Sequence, residues 1–95
     1  SIDIKNLGVD AMTISASKIY GPKGIGLLYV NKKIKIEALM VGGGQERGLR
    51  SGTENVAAIV GLAEALNISE KKREIESERL TLLRDYFFTL LRVRN

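Results

Sequence analysis

The order of apolar and polar positions divides the 95-residue chain into three zones. Val9 to Ser15 is a short, mixed apolar run, and Ile25 to Val30 (IGLLYV) is almost continuously apolar. Runs of this length bounded by glycine predict strands, the second of them buried on both faces. Between them stands Gly21-Pro22-Lys23-Gly24. Proline presets φ and glycine permits positive φ, so these residues predict the turn of a strand hairpin over 9–31. Residues 32–53 lose the pattern. Ile34 and Ile36 alternate enough for a short strand or an extended arm. The stretch VGGGQERGLRSGT then sets Gly42, Gly43, Gly44, Gly48 and Gly52 around Arg47 and Arg50. That glycine density excludes a regular element and predicts a loop over 42–53 held by specific contacts.

From Thr53 onward the period becomes helical, and the spacing predicts helix over 54–93. Thr53 is the expected N-cap, with Glu54 in the first turn where a carboxylate complements the helix dipole. Val56, Ile59, Val60, Ala63 and Leu66 form one apolar stripe. Ile75, Leu82, Leu83, Tyr86, Phe87, Leu90 and Leu91 continue at close to helical spacing. Ser69 either caps a second helix, or Asn67-Ile68-Ser69 kinks a single long one. Glu70 to Arg79 (EKKREIESER) mixes both signs of charge, which predicts a solvated face laced with i,i+4 pairs.

Composition narrows the chemistry. The chain has neither cysteine nor histidine. Disulfides, thiolate metal sites and a cysteine nucleophile are therefore excluded within these residues, and the commonest general base is missing. No metal site is expected. A formal charge of +4 is modest and spread along the chain, without a basic stripe. Tyr86, Phe87 and Phe88 fall in the helical pattern and are expected in a core, so no stacking platform for nucleic acid is expected. No apolar run approaches the roughly 18 residues of a membrane span, and no signal-peptide pattern opens the chain. The first residues, SIDIKNLGVD, lack an initiator methionine, and LLRVRN stops just after a strong helical pattern. Both ends predict an internal piece of a longer protein.

Two constellations carry chemistry. At the end of the first strand, Ser15-Ala16-Ser17-Lys18 leads into SASKIYGPKG. Strand ends in α/β sheets are where ligands bind, and hydroxyls with backbone N–H groups there hold anions. A partly desolvated lysine amine beside them is a nucleophile. The same residues also read as a serine-rich turn with two solvated lysines, Lys18 and Lys23. GPKGIG does not have the GxxxxGK[ST] spacing of a Walker phosphate loop. The second constellation is GGGQERGLRSGT, which brings Arg47, Arg50, Ser51 and Thr53 to a helix mouth. That is an anion site, or else a loop whose arginines pair with Glu46 and Glu54.

Taken together, VDAMTISASKIYGPKGIGLLYV and GGGQERGLRSGTENVAAIVGLAEAL resemble the cysteine desulfurases, class V aminotransferase relatives among the pyridoxal-phosphate (PLP) enzymes of fold type I. The likeness runs from Ser1 through the terminal helix. It implies an α/β fold in which this chain is part of the large PLP-binding domain. By the family pattern of a Ser-x-His sequence before the lysine and Gly-Pro-Lys-Gly after it, Lys18 matches the Schiff-base lysine and catalytic base. Lys23 belongs to the turn. Ser15 matches the serine that binds the PLP phosphate, and Thr53 a threonine that reaches the phosphate in the neighbouring subunit. A homodimer with composite sites is thereby implied.

One departure stands out, for Ser17 occupies the position where the family usually has histidine. A serine hydroxyl still donates to a phosphate oxygen, so Ser17 is counted with the cofactor-binding residues. The resemblance also implies an L-cysteine substrate, L-alanine as product, and sulfur passed as a persulfide to an iron–sulfur scaffold or to tRNA thiolation. It implies a cytoplasmic setting with no direct nucleic-acid or membrane partner. The family's stacking histidine and pyridine-pairing aspartate lie upstream of this region. Its persulfide-forming cysteine and substrate-binding arginine lie downstream, so this stretch alone is expected to be inactive. Selenocysteine lyase or another class V aminotransferase is the neighbouring reading within this chemistry. A non-catalytic anion-binding module is the reading from another class.

Overall fold

The computed structural model describes residues 2–93, in the order short helix, strand, turn, strand, loop, long helix. The first element, α1 (Ile4–Leu7), is a single turn. Its start is fixed by Asp3, whose carboxylate accepts from the amides of Lys5 at 2.9 Å and Asn6 at 3.3 Å. A capping carboxylate satisfies donors that the first turn leaves without helical partners.

Strands β1 (Ala11–Ser15) and β2 (Gly26–Val30) pair antiparallel, Ala11 opposite Val30 and Ser15 opposite Gly26. The ladder is extended at both ends, by the Asn31 amide to the Asp10 carbonyl (2.8 Å) and the Ala16 amide to the Ile25 carbonyl (3.1 Å). The hairpin is a two-stranded sheet, and this corrects the expectation that IGLLYV is buried on both faces. Leu28 is 55% exposed and Leu27 is exposed too, because among the described residues no second layer covers them. Ile34 and Ile36 form no strand; their segment is turn and extended chain.

The Gly/Arg loop closes on itself. The Ser51 amide donates to the Met40 carbonyl at 3.0 Å, and the Gly52 amide to Gln45 Oε1 at 3.1 Å. A one-turn 3-10 segment, Glu46–Gly48, lies between, with Arg47 in the left-handed region at φ 61°.

Helix α2 runs unbroken over Val56–Val93, so Ser69 caps nothing and the Asn67-Ile68-Ser69 stretch stays helical. The cap is Asn55, not Thr53: Asn55 Oδ1 accepts from the Ala58 amide at 3.1 Å, and its carbonyl from the Ile59 amide at 3.0 Å. The predicted stripe is also displaced. Val56, Ile59, Val60 and Ala63 are exposed, whereas Leu62 and Ala65 are buried, with Ala58, Gly61, Leu66 and Ser69 half-buried beside them. The small residues decide this, because they let the helix approach the hairpin turn more closely than a Val/Ile face could. Tyr86, Phe87 and Phe88 are exposed rather than core. Phe87 and Phe88 meet edge to face, with centroids 5.8 Å apart.

The charged stretch forms pairs at shorter spacing than expected. Arg73 bonds Glu70 and Glu74, each at 3.3 Å, and Arg79 bonds Glu76 at 2.7 Å; beyond the stretch, Arg84 bonds Asp85 at 2.8 Å. The hydrogen bond from Arg79 holds the Glu76 carboxyl below its ordinary range.

Candidate functional site

Of the residues singled out by sequence, Ser15, Ser17 and Lys18 gather where β1 ends. Ser15 closes the strand, and Ala16–Ile19 follows as one 3-10 turn that carries Ser17 and Lys18. Ser15 Oγ and Ser17 Oγ stand 3.0 Å apart in a hydrogen bond, both on exposed residues. Across the sheet Ser15 faces Gly26, so no side chain stands opposite its hydroxyl. Among the described residues neither hydroxyl has another side-chain partner, and Lys18 makes no ion pair. Two hydroxyls with spare hydrogen-bonding capacity beside an uncommitted amine suit an anionic ligand that also carries a carbonyl.

What fixes this turn is beneath it. Ala16 has 0% of its surface exposed, and its carbonyl accepts from the Gly21 amide at 2.8 Å and from the amide of Tyr20. Tyr20 itself takes a left-handed conformation, φ 61° and ψ 18°, which reverses the chain out of the turn. Sequence reasoning missed Ala16, since alanine carries no chemistry. A signal did exist in the small residues Gly61 and Ala65, four apart on the helix that covers it.

Lys23 lies in the connection to β2, outside the 3-10 turn. Thr53 is exposed on the chain that leads from the Gly/Arg loop to Asn55, and no side-chain hydrogen bond among the described residues joins it to the Lys18 turn. The second constellation does not close into an ion-paired loop either. The Arg50 guanidinium donates to the Ser51 carbonyl, and the ion pairs among the described residues all lie on α2. A shallow open recess of about 520 Å³ follows the hairpin and reaches Ser15 along with Thr13, Ile25 and Leu27. It touches neither Ser17 nor Lys18, and the rest of its lining is Ile14, Gly24, Gly26 and Leu28. The chemistry-bearing groups therefore mark the site, and the recess does not. No group of three or more acidic side chains among the described residues is placed to hold a metal ion.

Residues 1–92 match the aminotransferase class-V family. The chain belongs to that family. It is 51% identical over 86 residues to the cysteine desulfurase IscS of Dictyoglomus turgidum, covering 90% of this chain and 22% of that protein. With IscS of Klebsiella pneumoniae it shares 57% over 86 residues, covering 88% of this chain and 21% of the relative. The fold agrees with a NifS-like protein at a TM-score of 0.85 and 44% identity, over 88% of this chain and 23% of that one. SspA in complex with cysteine aligns at a TM-score of 0.65 and 46% identity, over 70% of this chain and 20% of that one. The class-V chain thus has the expected α/β fold, a part of the type I architecture of PLP enzymes. It spans about a fifth of the length of the curated relatives it matches. No helix among its described residues is long and apolar enough to cross a membrane.

Proposed function

We propose that this chain is the lysine-bearing part of the PLP-binding domain of a cysteine desulfurase. The observation that carries the reading is the Ser15–Ser17 hydroxyl pair, 3.0 Å apart, on the turn that presents Lys18. It sits in a segment about half identical to IscS proteins. The residues present fit the cofactor. Ser15 and Ser17 would donate to its phosphate, and Lys18 would supply the amine that holds its aldehyde carbon and a proton at Nζ. When bound, PLP supplies the electron sink for bond changes at the substrate carbon. Thr53, exposed and without a side-chain hydrogen bond among the described residues, suits the expected role toward the phosphate of a neighbouring subunit in a homodimer.

The substrate in this reading is L-cysteine and the product L-alanine, with sulfur leaving as a persulfide for an iron–sulfur scaffold or tRNA thiolation. The cysteine complex of SspA supports that substrate class. Because these residues contain no cysteine, the persulfide must form on a residue elsewhere in the protein or its partner.

The test uses the full-length protein that carries this chain. After incubation with PLP, borohydride reduction and peptide mapping should place a pyridoxyl group on Lys18. Lys18→Ala should abolish the label, whereas Lys23→Ala should retain it. Added L-cysteine should yield alanine and, under thiol, sulfide. Label on Lys23, or none on either lysine, would refute the assignment. Turnover of selenocysteine but not cysteine would move the protein to the lyase branch.

A further inference from the structure

Ala16, Leu62 and Ala65 are the buried apolar residues among those described, and they belong to the Lys18 turn and the helix face packed on it. The contact is close. A methyl group added at Gly61 would stand 2.6 Å from Pro22 Cγ and 3.2 Å from its Cδ. One added at Gly21 would stand 3.0 Å from Ala16 Cβ and 3.1 Å from Ala65 Cβ. Real β-carbons do not approach other atoms at 2.6 Å, so Gly61 fixes how near the helix lies to Pro22. Pro22 has a rigid ring, and the Gly21 amide holds the Ala16 carbonyl at 2.8 Å. A displacement of Pro22 therefore passes to Ala16, and Lys18 is two residues further along the same 3-10 turn.

From this contact we infer that Gly61 is a positioning residue for Lys18, setting the place of its amine through Pro22, Gly21 and Ala16. The inference rests on the reading of Lys18 as the PLP-attaching residue. It also explains why a helix would keep glycine in its interior at a cost of about 1 kcal/mol relative to alanine. Alanine at 61 would favour the helix locally while pushing the turn away.

The experiment compares full-length wild type with Gly61→Ala, Pro22→Ala, the double variant, and Ala63→Ser on the exposed side of the helix. Far-UV circular dichroism reports folding. The readouts are the pH midpoint of the lysine-bound PLP absorbance, the rate of PLP loss on dilution, and kcat against KM for cysteine. Displacements of about 1 Å remote from the chemistry cost on the order of a hundredfold. Gly61→Ala is accordingly expected to lower kcat roughly tenfold to a hundredfold, with KM changing less, and to shift the absorbance midpoint. Pro22→Ala in the Gly61→Ala background removes the ring atoms that the new methyl meets, so it should restore the midpoint and most of kcat. Ala63→Ser should match wild type.

A folded Gly61→Ala protein with wild-type midpoint, PLP retention and kcat overturns the inference. So does a double variant no better than Gly61→Ala alone. If Gly61→Ala does not fold, Pro22→Ala decides alone, since it loosens the contact without a clash. A wild-type midpoint and kcat in Pro22→Ala then overturn the inference. Should wild type itself fail to take PLP on Lys18, the functional reading fails instead, and the two failures are distinct.

Discussion

Ser15 and Ser17 share one hydrogen bond and make no other side-chain hydrogen bond among the described residues. Removing one hydroxyl is a small change with a definite size, because a hydrogen bond contributes about 1 kcal/mol net and more to a charged partner. Ser17→Ala should therefore weaken PLP binding about fivefold or more, measured by absorbance titration of the full-length protein. An unchanged affinity would mean that Ser17 does not touch the phosphate. Ser17→His, which keeps a donor at that position, should retain binding. Sequence could name these hydroxyls and both lysines, but local spacing left Lys18 and Lys23 equivalent, and only the resemblance separated them. Only Gly61 and Ala65 signalled Ala16, which carries no chemistry of its own. Its importance comes from residues more than forty positions later, and no property of alanine announces such a contact.

Elements show the same division. The strands and the long helix were readable because apolar period is a local property. The helix start was not, since Thr53 and Asn55 are both good caps two residues apart. The Gly/Arg loop settles it by tying Ser51 to Met40 and Gly52 to Gln45, which holds the chain out of helix until Asn55. Asn55→Ala should cost about 1 kcal/mol of local helix stability, seen as roughly fivefold faster amide exchange at Ala58. Thr53→Ala should leave that exchange unchanged. The packed face was misread because Val and Ile carry the apolar signal while glycine and alanine permit contact. A pH effect also belongs to this scale. Glu76 has a lowered pKa from its Arg79 hydrogen bond, so the stabilisation exists above the ordinary carboxylate range and is lost as pH falls through the folded value. Protection of the amides around Glu76, corrected for their intrinsic exchange rates, should fall as pH drops through the lowered carboxyl range, and Glu76→Gln should flatten that dependence.

At the scale of the whole molecule, the described fold is open. Its accessible surface is 8514 Å² for 10.4 kDa. A compact monomer of that mass exposes about 5,400 Å². The radius of gyration is 18.6 Å. A compact chain of this length has roughly 12 Å. So little buried area does not offset chain entropy. The 95-residue polypeptide by itself should melt broadly, without the cooperative transition of a folded domain, in a thermal circular dichroism scan. A sharp, reversible melt would contradict this. Such openness was legible only in part: the helical period at Tyr86 to Leu91 promised a core, but nothing local says whether its covering layer lies within these residues. One mechanical consequence follows from the seat at Gly61. From there α2 runs to Val93, about 48 Å at helical rise. A tilt of roughly 10° about Gly61 sweeps the far end by about 8 Å. In the opposite direction the ratio works as an attenuator. The turn rests about one helix radius, roughly 5 Å, from the pivot, so 1 Å of sway at the far end moves it only about 0.1 Å. Sway at the far end of α2 would therefore reach the Lys18 turn reduced about tenfold.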